Sequence, residues 1–114
     1  PTVLADVTPE MPVFHTETFG PLFPLIKAEN EKHAIEIANN SIYGLGASIF
    51  TGNKEKAEIE IAPQLESGLV FINDAVTSIV NVPFGGIKNS GMGRELGDLG
   101  IKEFTNPKTI FIKE

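Results

Sequence analysis

Residues Pro83 to Glu95 read Pro-Phe-Gly-Gly-Ile-Lys-Asn-Ser-Gly-Met-Gly-Arg-Glu and crowd Gly85, Gly86, Gly91 and Gly93 into one short stretch. Without a Cβ, glycine reaches backbone conformations that other residues are denied, so the stretch demands a tightly folded loop, and Glu95 to Phe104 is expected to follow as a short helix. Two phosphate-binding readings fail on their own chemistry. Gly86 and Gly91 have the spacing of a phosphate loop, but Met92-Gly93 stands where such a loop needs Lys and then Ser or Thr. Gly91-Met92-Gly93-Arg94-Glu95-Leu96-Gly97 comes close to a dinucleotide fingerprint, yet it follows a polar stretch instead of a strand and its last glycine falls one position late. A folded glycine-rich loop remains, structural or functional.

The rest of the chain reads as alternating strands and helices. Thr2 to Val7 and Leu22 to Lys27 are expected strands, joined through irregular chain marked by Pro9, Pro12 and Pro21. Asn30 is a good helix cap, and Ala34, Ile35, Ile37 and Ala38 form an apolar stripe over Glu31 to Asn40, with Tyr43-Gly44 as the stop. Leu45 to Thr51 is expected as strand. Asn53 then caps a second helix carrying Ala57, Ile61, Ala62 and Leu65, which Pro63 should kink and Gly68 should end. Leu69 to Ile72 is wholly apolar, as in a strand covered on both faces. This order predicts an α/β fold of parallel-sheet βαβ units. Asn73 to Gly93 is a long loop, of the kind that is functional or held by a partner, and Thr109 to Lys113 alternates as an edge strand does.

Composition removes several classes of function. A net charge of −6, with nine Lys and Arg scattered along 114 residues, argues against nucleic acid as a partner. No apolar run approaches a membrane span, and the start lacks a basic segment followed by an apolar one, so a soluble cytoplasmic protein is expected. The absence of cysteine excludes disulfides, thiolate metal sites and a thiol nucleophile within this chain. His15 and His33 have no carboxylate pattern around them of the kind metal sites use, and are read as structural; no metal is expected.

Several motifs in register give the chain a family resemblance: Pro1 to Leu4, Glu17-Thr18-Phe19-Gly20-Pro21, Ala38-Asn39-Asn40 with Tyr43-Gly44-Leu45, Gly68 to Asn73, Pro83 to Gly86, Lys88, Ser90-Gly91, Gly93-Arg94-Glu95 and Lys108-Thr109. Over essentially its whole length it resembles the C-terminal part of the NAD(P)-dependent aldehyde dehydrogenase superfamily. The helix before Gly68 departs from the pattern by one extra residue and by Pro63.

The resemblance implies that residues 1–107 belong to the catalytic domain and 108–114 to an oligomerisation strand. In such enzymes a cysteine thiolate attacks the aldehyde, hydride passes to the nicotinamide, and a glutamate-activated water releases the acid. That cysteine, that glutamate and the dinucleotide-binding domain would lie in an N-terminal remainder, so the chain alone is expected to be inactive. Glu17 would accept hydrogen bonds from the nicotinamide ribose of NAD or NADP, and Phe19 would pack against the nicotinamide end. Phe84 would line the substrate tunnel, with Asn73 to Val82 at its mouth and Ser78 toward a substrate carboxylate, as in relatives that take succinic semialdehyde. Glu95 would relay protons to the base from a desolvated position. Lys88, Ser90 and Arg94 are read as holding the loop and subunit contacts. A homodimer or homotetramer oxidising a small semialdehyde is implied for the parent; a non-catalytic oligomerisation module of the same fold is the alternative.

Overall fold

Parallel strand pairing, the consequence expected of the strand and helix alternation, occurs in both units of the computed structural model, Pro1–Ser41 and Ile42–Glu114, which together describe all residues 1–114. In the first unit β1 (Thr2–Leu4) runs parallel to β2 (Leu22–Pro24), with Val3 opposite Phe23. Leu25 N–H donates to Leu4 O at 2.8 Å and Val7 N–H to Leu25 O at 3.1 Å, which draws Val7 inside. Both strands are shorter than the sequence suggests. Asp6 sits at φ 54°, outside strand geometry, and Pro24 has no N–H to give. A helical turn, α1 (Pro12–His15), stands where irregular chain is expected. Pro12 opens it, where a fixed φ and a missing N–H cost nothing.

The helix read from the Asn30 cap is α2 (Glu31–Asn39), and the Asn30 side chain accepts from His33 N–H at 2.9 Å. Both histidines turn their rings to the backbone. His15 Nε2 donates to Pro9 O at 2.8 Å, and Glu29 N–H donates to His33 Nδ1 at 3.2 Å.

The second unit contains β3 (Tyr43–Gly44), β4 (Gly46–Ile49), α3 (Lys54–Lys56), β5 (Leu69–Ile72), β6 (Ile87–Lys88) and α4 (Gly97–Glu103). Strands β4 and β5 are parallel, from Gly46 opposite Leu69 to Ile49 opposite Ile72. Ala57 and Leu69 form the buried core here. Asn53 caps α3 through Lys56 N–H at 3.0 Å, and the helix then widens into a π turn (Ala57–Ile61) and tightens into a 3-10 turn (Ala62–Gln64). A π turn holds about one residue more than an α turn, the local widening that an inserted residue would produce. Pro63 lies in the first turn of the 3-10 segment and ends α geometry there.

Three further expectations change. Tyr43-Gly44, read as a helix stop, is a strand antiparallel to β6, so the stretch 73–93 is not an unbroken loop. The strands form three two-stranded sheets rather than one parallel sheet. Helix α4 begins at Gly97 and not at Glu95, because Glu95 exchanges backbone hydrogen bonds with Phe84 and Leu96 turns at φ 62°. Thr109 to Lys113 pairs with no strand of this chain. No helix is long and apolar enough to cross a membrane.

Candidate functional site

In the first unit α1 aims the segment that follows it. Thr16 closes the turn twice, its N–H and its hydroxyl both donating to Pro12 O at 3.1 and 2.9 Å. From that fixed point the chain presents Glu17 and Phe19, two residues apart and both exposed. Phe19 has φ 54° and is 95% exposed. A bulky residue in the left-handed region is strained, and an unburied phenyl ring forgoes about 2 kcal/mol of hydrophobic gain. Such costs are met where a ring awaits something to cover it. Earlier in the unit, the Thr8 hydroxyl and a backbone N–H hold the Glu10 carboxyl below its ordinary pKa.

In the second unit the glycine-rich loop is bound on every side. Phe84 and Glu95 exchange N–H to O bonds of 2.7 Å in both directions, closing the loop at its base. Arg94 Nη1 donates to Gly86 O at 3.0 Å and to Gly93 O at 2.7 Å across its middle. Gly44 N–H donates to Ser90 Oγ at 3.0 Å, and Lys88 Nζ pairs with Glu66 at 2.6 Å. Ser90, Lys88 and Arg94 thus hold the loop within the chain, the first part of the role expected of them. Gly68 and Gly85 serve close approach of main chain. A Cβ on Gly68 would stand 1.8 Å from Gly85 O, and one on Gly85 would stand 2.6 Å from Gly93 O. Side chains there would collide with main chain.

This loop brings Phe84 and Glu95 together on a cleft of about 450 Å³, lined also by Leu45, Gly86, Arg94 and Phe104. Phe84 is half-buried and Glu95 exposed, so the desolvation that a proton relay needs is not supplied by this chain's own residues. Ser78 is exposed on the segment that leaves β5. A second cleft, of about 770 Å³, lies between Val80, Pro83, Leu96 and Ile101. Asn73, which the sequence marks only as the end of the Gly68 to Asn73 motif and the start of the expected tunnel mouth, pairs its side chain with Thr51. The local signal for this pairing is an asparagine directly after an apolar strand run, a residue type that tolerates positive φ.

Comparison with known proteins places these features. Residues 1–110 match the model of the aldehyde dehydrogenase family. The chain is 44% identical over 110 residues to an NADP(+) succinate-semialdehyde dehydrogenase of Deinococcus radiodurans, covering 96% of this chain and 23% of the relative. It is 49% identical over 111 residues to an NAD(P)+ succinate semialdehyde dehydrogenase of Escherichia coli, covering 97% and 24%. The crystal structure of succinic semialdehyde dehydrogenase from Streptococcus pyogenes in complex with NADP+ superposes with a TM-score of 0.94 at 46% identity, over all of this chain and 25% of that one. The chain therefore spans about a quarter of the length of the relatives it matches.

Proposed function

Because the chain belongs to the aldehyde dehydrogenase family, we propose that it is the C-terminal part of an oxidoreductase that converts a small semialdehyde, succinic semialdehyde foremost, to its carboxylic acid with NAD or NADP. The likeness in register to succinate-semialdehyde dehydrogenases, over the whole of this chain and a quarter of theirs, carries the reading. The chain has no cysteine, so the nucleophile belongs to the N-terminal remainder, and these 114 residues alone are inactive.

The residues present fit the nicotinamide end of such a cofactor. Glu17 offers two exposed carboxylate oxygens, to which the adjacent hydroxyls of a ribose can both donate. Phe19 offers an uncovered ring face beside it, against which a flat heterocycle packs. The bound cofactor supplies the hydride acceptor. Phe84 forms an apolar wall that keeps water from the reacting carbonyl. Ser78, on the segment at the tunnel mouth, donates to the far carboxylate of a semialdehyde acid. Glu95 holds a relayed proton once the remainder of the protein covers it. Residues 108–114 pair with a neighbouring subunit of a homodimer or homotetramer, in the cytoplasm.

The test is to express the complete reading frame that contains this chain and follow cofactor reduction with a panel of aldehydes and both cofactors. Reduction with succinic semialdehyde is expected. Failure with every aldehyde and both cofactors would overturn the proposal.

A further inference from the structure

The sheet of β4 and β5 continues one rung past the point where β5 leaves it. Asn73 N–H still donates to Ile49 O at 2.7 Å, in the register that sets Ile49 opposite Ile72. In a parallel ladder of that register, Thr51 would give its N–H to the carbonyl of residue 73 and accept from the N–H of residue 75. Neither bond to the main chain forms, because Asn73 at φ 58° turns the backbone out of the sheet. The side-chain amide of Asn73 takes both places. Thr51 N–H donates to Asn73 Oδ1 at 2.7 Å, and Asn73 Nδ2 donates to Thr51 O at 2.9 Å. A primary amide carries the same acceptor and donor pair as a peptide group, so the rung is completed while the main chain is released.

The released segment is then guided at a few points. Asp74 Oδ1 accepts from Ala75 N–H at 2.8 Å, Val76 leans on Gly46, and Gly97 N–H donates to Val80 O at 3.1 Å. Between these points it is largely exposed, Ser78 included. Its departure lies beyond the carboxyl ends of two parallel strands, the side on which α/β sheets bind their ligands.

We propose that Asn73 is a positioning residue that fixes where the segment 74–81 leaves the sheet and, through that segment, sets the length of aldehyde the site accepts. The proposal rests on the reading of this segment as the mouth of the substrate tunnel. An amide bonded to both the N–H and the C=O of one residue cannot swing, so the exit direction of the chain is set by a closed ring of two hydrogen bonds rather than by solvated backbone.

The experiment uses Asn73→Gly in the full-length protein. Glycine accepts φ 58° without strain, so the backbone path stays open and only the amide is lost. Asn73→Asp serves as the second variant, since it keeps the acceptor for Thr51 N–H and loses the donor. Hydrogen exchange at Thr51 and across residues 74–78 is expected to quicken on the order of tenfold in Asn73→Gly and less in Asn73→Asp. The ratio of kcat/KM for a short aldehyde to that for a long one is expected to shift by roughly threefold or more, mainly through KM. That ratio is independent of how much enzyme is folded, so a merely structural loss leaves it unmoved. Exchange and ratio both at the unmutated values in Asn73→Gly would overturn the proposal. Faster exchange with an unchanged ratio would overturn the selectivity claim and keep the rung. If the unmutated enzyme oxidises no aldehyde, the proposed function has failed and the selectivity claim falls with it, while exchange alone decides the rung.

Discussion

Gly68 and Gly85 pass so close that neither position tolerates a side chain, whatever the rest of the protein does. A methyl group on Gly68 would meet the Gly85 carbonyl far inside van der Waals contact, and the loop is pinned next to it by the Arg94 bond to Gly86 O. Gly68→Ala is therefore expected to destabilise by about 3 kcal/mol, read as a lower denaturation midpoint with the same slope. A loss below about 0.5 kcal/mol would show the loop to be more yielding than its hydrogen bonds indicate. Glu17 makes the opposite case, an exposed residue whose proposed role is to bind the ribose. Glu17→Gln keeps the shape and removes the charge, and hydrogen bonds to a carboxylate are roughly twice as strong as those to an amide. Single-turnover hydride transfer is expected to slow on the order of tenfold while the melting temperature stays put. An unchanged transfer rate would refute the ribose role.

The loop from Pro83 to Glu95 behaves as an element, although it lacks the hydrogen-bond ladder of helix or sheet. The Arg94 guanidinium spans it, and Arg94→Met keeps most of the stem while removing both donors. The cation is half-buried, so the expected cost is about 1–2 kcal/mol, with quicker exchange at the amides of Phe84 and Glu95. Stability within about 0.3 kcal/mol of the parent would count against the clamp. Elements of this loop also show where the sequence ceases to be legible. Helix α2 and strand β5 were readable because a cap with an apolar stripe, and an unbroken apolar run, are local signals spread over many residues. Helix α1 has four residues and β3 and β6 two each, too few for any period to register. The start of α4 was misplaced because Glu95 is drawn into a bridge with Phe84, a contact made by the fold and not by the neighbours of Glu95 in sequence. The residues of the candidate site were found through motifs shared with a family. Asn73 belongs to the same motif, but the sequence does not say that its amide replaces a peptide.

At the scale of the whole molecule, many apolar side chains are left open to solvent. Val7, Ala57 and Leu69 are its buried apolar residues, whereas Phe19, Phe104 and Phe111 lie open. The terminal segment is the sharpest instance, with Ile110, Phe111 and Ile112 at 78, 84 and 81% exposure. Covering three such side chains yields about 6 kcal/mol, and ordering five residues costs roughly 7. Burial alone therefore comes close to balance, and in the proposed assembly the hydrogen bonds of a sheet edge on another subunit would tip it toward docking. Removing residues 108–114 from the full-length protein is accordingly expected to shift it from a dimer or tetramer to smaller species by light scattering, with KM for cofactor less affected than the assembly. Pro substituted for Phe111 tests the ladder separately, because it deletes one N–H while leaving the flanking isoleucines. An unchanged molecular mass in both variants would leave the segment without its docking role, and the excess apolar surface would then have to be covered within the subunit itself.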